Sequence, residues 1–338
     1  MIVKTPGFRR LSRYLSKEQT HPQWARHQEI SRKACLVVQL FYVVVLVAFV
    51  EFVSSLQAYA AEPDGFTPMW PVFWVDSVGM GLAAKLLIPI YILVGVCTVM
   101  FWWSFWLRLA CSILLLQYMS LYNSWGGINH SYHEIFWVSV CFIFLPTVKQ
   151  SEVLNSRPAR LQLLTCVYAA MALVLLFYSM AGAYKVWDAT QMLLSGQTGG
   201  FSPYAMANTI AWRQISTNTD PIYADMLMDA PLLGWPLYLG LYYAQFFAIV
   251  ILFRPALHRL WGVILIGFHF GTIVLMDISF PYHIAINAIL LLLSPYAPDR
   301  FDLRQIAASL PLFGVLFRAG LGWKTHSDEM EAARTSSP

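Results

Sequence analysis

The chain predicts an all-α, polytopic transmembrane helical bundle of about eight spans, and three observations predict it. Of its 338 residues, 58% are hydrophobic and 12% charged, with a mean hydropathy of +0.56, which is far more apolar than a soluble domain of that length. The apolar residues gather in runs of about 20, the number a helix needs to cross a hydrocarbon core of roughly 30 Å. Lys and Arg concentrate in alternate loops, as orientation in a membrane requires. Lipid offers no partner to an unpaired backbone amide, so each run is read as a helix.

The first 34 residues are polar and basic without an apolar stretch, so they are read as a cytoplasmic N-tail and not as a secretory signal peptide. The transmembrane domain, 35–298, follows, with spans at 35–58, 82–104, 105–122, 134–148, 160–183, 234–253, 260–278 and 283–298. The fourth and last are short for a full crossing. Between the first two, loop 59–81 carries Trp70 and Trp74 at interfacial depth. The longest loop, 186–233, contains the breakers Gly196, Gly199, Gly200 and Pro203. Tyr204, Trp212, Tyr223, Leu227 and Leu232 give it an apolar side, so it is read as a structured lid. The tail 299–338 holds a weaker apolar run at about 303–323, interrupted by Pro311, Gly314 and Gly320 and read as an interfacial helix.

Orientation follows from the basic residues. They lie in the N-tail, around 149–160, at Arg254 and Arg259, and in the C-tail, whereas the opposite loops hold only Lys185 and Arg213. Both termini are therefore expected in the cytoplasm, as an even span count demands. The net charge of +4 is topological bias and calls for no nucleic-acid partner. Five cysteines without CxxC spacing indicate neither a disulfide frame nor a metal site. No nucleotide-binding, zinc-protease or esterase motif is present.

Ionisable residues inside such a bundle are expensive and mark cavities or paired groups. By rise along their helices, Glu51, Lys85, Lys185, Asp277 and His283 all fall in the outer half of the membrane. Lys185 closes the fifth apolar run in the pentad Ala181-Gly182-Ala183-Tyr184-Lys185. An amine acts as a base near neutrality only when desolvation makes its charged form costly; otherwise it snorkels from the helix end into headgroups. Asn129-His130-Ser131-Tyr132 follows Gly126-Gly127 at the end of another run, where a flexible loop would aim an imidazole inward. His269 stands mid-span between Gly267 and Gly271, a spacing that lets helices approach closely. Asp277 marks a helix end, and Arg108 reads as an interfacial anchor.

Three segments in this order, Asn129-His130-Ser131-Tyr132, Ala181-Gly182-Ala183-Tyr184-Lys185, and Phe268-His269 with Phe280-Pro281-Tyr282, resemble the HTTM-domain family. That family comprises bacterial relatives of the membrane portion of vitamin K-dependent γ-glutamyl carboxylase. The resemblance spans about residues 25–300. It implies a bacterial inner-membrane protein with Lys185 as catalytic base and with Asn129 and His130 in the active site. His269, Tyr132, Tyr184 and His283 are the candidate cofactor contacts. A quinol such as vitamin K hydroquinone is the implied cofactor, with O2 and CO2 as small co-substrates. The chain departs from the carboxylase in Phe270-Gly271-Thr272-Ile273 after His269 and in lacking the large lumenal C-terminal region, so protein glutamate is not implied as substrate.

Two functions of different class follow. The first is a membrane enzyme, a lyase or oxidoreductase, that deprotonates a quinol or other lipid-soluble substrate in an outer-leaflet cavity. The second is a non-enzymatic membrane module that binds a lipid, a quinone or a partner protein. A solute transporter is less favoured, because no inverted repeat is apparent.

Overall fold

The computed structural model describes residues 21–61, 65–127 and 130–320, all helix, turn and loop with no strand among them; Asn129 lies outside these residues. Five helical segments are long and apolar enough to cross a membrane: Arg26–Ala61, Met80–Met100, Phe105–Asn123, Arg157–Leu194 and Pro255–Met276. The runs expected at 134–148, 234–253 and 283–298 are shorter or interrupted helices. The chain divides into two compact units, Met1–Ala170 and Met171–Pro338.

The first unit holds α1 (His21–Ala61), α2 (Trp74–Val78), α3 (Met80–Met100), α4 (Phe105–Asn123), α5 (His133–Ile143), α6 (Gln150–Asn155) and the first half of α7 (Arg157–Leu194). α1 packs along α3 at Gly95, where a Cβ would stand 2.9 Å from Leu46 Cδ1 and 3.1 Å from Phe49 Cδ2. The seam is aromatic: Phe49, Phe52 and Tyr91 are fully buried in mutual ring contact, and Tyr91 donates to Leu114 O at 3.0 Å.

Arg108 corrects an expectation. It is fully buried and not an interfacial anchor. Nη1 donates to Trp102 O (2.9 Å) and Pro146 O (3.2 Å), and Nη2 donates to Ile143 O (3.2 Å) and Leu145 O (2.6 Å). α5 is only 11 residues, about 16 Å at 1.5 Å per residue, and ends well short of a full crossing. The planar guanidinium satisfies carbonyls that this early end exposes, which a buried chain end requires.

The second unit holds the rest of α7, α8 (Ala205–Thr217), α9 (Ala224–Asp229), α10 (Pro231–Phe246), α11 (Ala248–Ile251), a 3-10 turn (Pro255–Leu257), α12 (His258–Met276), α13 (Pro281–Asn287), a π-helical turn (Ala288–Leu292), α14 (Leu303–Ser309) and α15 (Phe313–Gly320). The expected span 234–253 is interrupted at Phe247, between α10 and α11. Ser179 of α7 bridges the interruption: its hydroxyl donates to Phe246 O at 3.1 Å and accepts from Ile249 N at 2.8 Å. Broken helices survive at membrane depth when a neighbouring Ser or Thr takes up the freed backbone groups in this way.

Three residues later Gly182 lets α7 approach the same place. A Cβ there would fall 2.3 Å from Phe246 N and 2.6 Å from Gln245 C, so only glycine fits. Gly262 plays a softer version of this role on α12, facing the side-chain end of Leu292 and the Cβ of Leu291. Gly267 and Gly271, by contrast, meet nothing within 4 Å, so they open space and do not bring helices together.

Residues 186–233 contain the end of α7 together with α8 and α9. Buried Ile210, Ala224 and Leu227 form a small core against Met206, Leu275 and Met276 at the end of α12. Asp277 terminates α12 in the left-handed conformation (φ 51°), its N–H donating to Ile273 O and that of Ile278 to Thr272 O. α14 starts at Asp302, whose carboxylate accepts from the N–H groups of Arg304 and Gln305. Tyr243 Oη donates to Pro311 O at 2.7 Å, and Arg254 donates to Ser309 O, so both tie the α14–α15 segment to α10 and its following loop.

Candidate functional site

The polar groups buried in the second unit come from four helices. Tyr178, Gly182 and Lys185 are spaced i, i+4, i+7 on α7 and so share one face. Lys185 is not at a helix end, because α7 continues to Leu194. Its half-buried amine donates to Gln245 Oε1 at 2.8 Å and lies 5.7 Å from the centroid of the Phe268 ring. Gln245 is itself buried. Among the described residues no carboxylate pairs with the amine. Its partners are a neutral amide and a ring face, and both leave it chemically available.

On α12 the ring of Phe268 touches that of His269, with centroids 4.7 Å apart. His269 is buried, and its Nε2 lies 2.5 Å from the hydroxyl of Tyr178. On α13 His283 and Asn287 stand four apart on one face, and both are buried. Asn287 Nδ2 donates to Tyr178 Oη and to His283 O, each at 2.8 Å. The ring of His283 packs 5.0 Å from His269, with Phe280 against both. Asn287 directly precedes the π-helical turn, a distortion common at functional sites.

The Tyr178 hydroxyl thus joins His269 Nε2 and the Asn287 amide in one chain of hydrogen bonds. His269 Nδ1 has no hydrogen-bond partner, nor has Asn287 Oδ1. A buried donor left unmade costs about 1–3 kcal/mol, so each orphan marks a place where a ligand's oxygen or hydroxyl gains more than its own contact.

The remaining sequence candidates fall elsewhere. His130 belongs to the first unit, where it is exposed with Nδ1 3.2 Å from Nδ1 of His133. Tyr132 is buried among Phe52, Tyr118 and Tyr122 in that unit's aromatic core. Tyr184 points away from Lys185 and is 71% exposed. Sequence reasoning missed Tyr178, Gln245 and Asn287. Two had a legible signal, since Tyr178 shares the Lys185 face at i−7 and Asn287 shares the His283 face at i+4. Gln245 had none, because its meeting with Lys185 spans 60 positions.

No family model, curated protein or solved structure matches the chain. Among the described residues no group of three or more His, Cys, Asp or Glu is placed to hold a metal ion.

Proposed function

We propose that this membrane protein acts on a quinol or another lipid-soluble substrate, with Lys185 as the base. The observation that carries the reading is an amine in the second unit held by a neutral amide, without a carboxylate, and packed on an aromatic ring. An ion-paired lysine would be locked in its charged form, whereas this one exchanges only a neutral hydrogen bond when it takes a proton. Lys185 removes the hydroxyl proton of the substrate, becomes an ammonium and stays beside the oxygen whose negative charge it balances. His269 Nδ1 and Asn287 Oδ1, both without partners among the described residues, are polar atoms of the kind that engage a quinol's hydroxyls. A quinol would contribute an acidic hydroxyl on a lipid-soluble ring.

The resemblance to the HTTM family supports the same assignment and adds O2 and CO2 as co-substrates where carboxylase-like chemistry is retained. In this reading His283, packed against His269, is a further contact. In the same reading the eight apolar runs, three of them short or interrupted, sit in a bacterial inner membrane with both termini cytoplasmic and the site facing outward.

Mass spectrometry of lipids and quinones co-purified with wild type and with Lys185→Ala tests the proposal. A compound that accumulates on Lys185→Ala and is converted by wild type supports it. Equal ligand retention with no turnover in either protein replaces the enzyme with a binding module.

A further inference from the structure

A groove of about 510 Å³ runs between α10 and α12, within the size range of small-molecule sites. Its floor along α12 is the stripe Ile264, Gly267, Phe268, Gly271, Thr272 and Leu275, one helical face about 17 Å long at 1.5 Å per residue. Opposite it, Gly240 on α10 leaves the same open space, with nothing within 4 Å of where its Cβ would be. The groove is thus a product of three glycines, and any larger residue there would fill it. The hydroxyls along it are already engaged: Thr272 donates within its own helix end, Tyr243 donates to Pro311 O, and Tyr238 meets Thr209. What remains is long and apolar. Both walls lead to Lys185: Ala244 lines the groove next to Gln245, and Phe268 lines it while carrying the Lys185 amine over its ring.

We propose that this groove binds one extended apolar chain, the tail of a lipid-soluble ligand whose oxygen-bearing head lies at Lys185. The length and apolar lining of the groove fit an extended chain, and Phe268, which lines it and carries the Lys185 amine over its ring, distinguishes it from a surface wetted by bulk lipid. The position of the head rests on the reading of Lys185 given above; the tail site stands on the glycines alone.

The test uses the full chain in phosphatidylcholine nanodiscs, with a long-chain primary alcohol carrying a diazirine in its tail as the probe. Cross-links are mapped by peptide mass spectrometry. Saturable labelling within 236–244 and 264–276 is expected, competed by the unlabelled alcohol and reduced about tenfold or more in Gly267→Leu and Gly271→Leu. Gly267→Ala and Gly271→Ala, for which there is room, fold normally and give intermediate losses, so a misfolded leucine variant does not decide the matter. Labelling that never saturates, or that the alanine and leucine variants leave unchanged, overturns the tail site in favour of bulk-lipid contact. A switch in oligomeric state with labelling intact overturns it in favour of a second copy on this face. Labelling lost in the glycine variants but unaltered in Lys185→Ala upholds the tail site and removes the head from Lys185.

Discussion

Gly182→Ala is the sharpest perturbation available, because it adds a single methyl where the structure has backbone. The new Cβ would meet Phe246 N at 2.3 Å, Gln245 C at 2.6 Å and Phe246 Cα at 2.7 Å, more than half an ångström inside ordinary contact. No rotamer change relieves a clash with main chain, so α7 must move off the α10–α11 break. Overpacking of this kind costs about 1–3 kcal/mol, here at the upper end. The displacement also stretches the 2.8 Å Lys185–Gln245 bond, and a hydrogen bond between neutral groups contributes about 0.5–1.5 kcal/mol. Alanine's better helix propensity returns about 1 kcal/mol. The net loss is about 2–4 kcal/mol, a fall of roughly 5–15 °C in melting temperature for a unit of this size. Gly267→Ala supplies the internal control: its Cβ meets nothing within 4 Å, so it melts at or slightly above wild type. Thermal melts in detergent micelles read both. A neutral or stabilising Gly182→Ala, or two variants that fall together, would refute the close approach.

Further outcomes follow from the same geometry. Arg108→Lys replaces a fork serving four carbonyls with a single ammonium and lowers stability by about 3 kcal/mol or more, read as a loss of folded protein after heating in micelles. Tyr178→Phe removes the hydroxyl shared by His269 and Asn287 and leaves two buried groups unmade; a loss of about 2–4 kcal/mol is expected by the same assay, whereas Tyr184→Phe, being exposed, changes melting by less than about 0.5 kcal/mol. Ser179→Ala frees Phe246 O and Ile249 N at the helix break. Hydrogen–deuterium exchange at 247–250 therefore rises, while exchange in α12 is unchanged.

Composition and periodicity made the membrane class legible, because hydrocarbon imposes a length and a polarity on any span whatever its neighbours do. They also located Lys185, His269 and His283, since a charge or imidazole in an apolar run stands out against its surroundings. They misjudged Arg108, whose burial depends on α5 ending early beneath it, and Gly267 and Gly271, whose spacing is the same whether a helix or a void lies opposite. The interruption at Phe247 also escaped, since the chain there is as apolar as a continuous helix.

What the residues by themselves decided is therefore local: which stretches avoid water, where helices end, and which side chains share a face. Which of those faces meet was decided only by the tertiary fold. Lys185 finds Gln245 across 60 positions, where Gly182 allows two backbones to touch, and Tyr178 finds Asn287 across 109. Helical periodicity is a property of a segment, whereas the pairing of an amine with an amide is a property of the packing between segments.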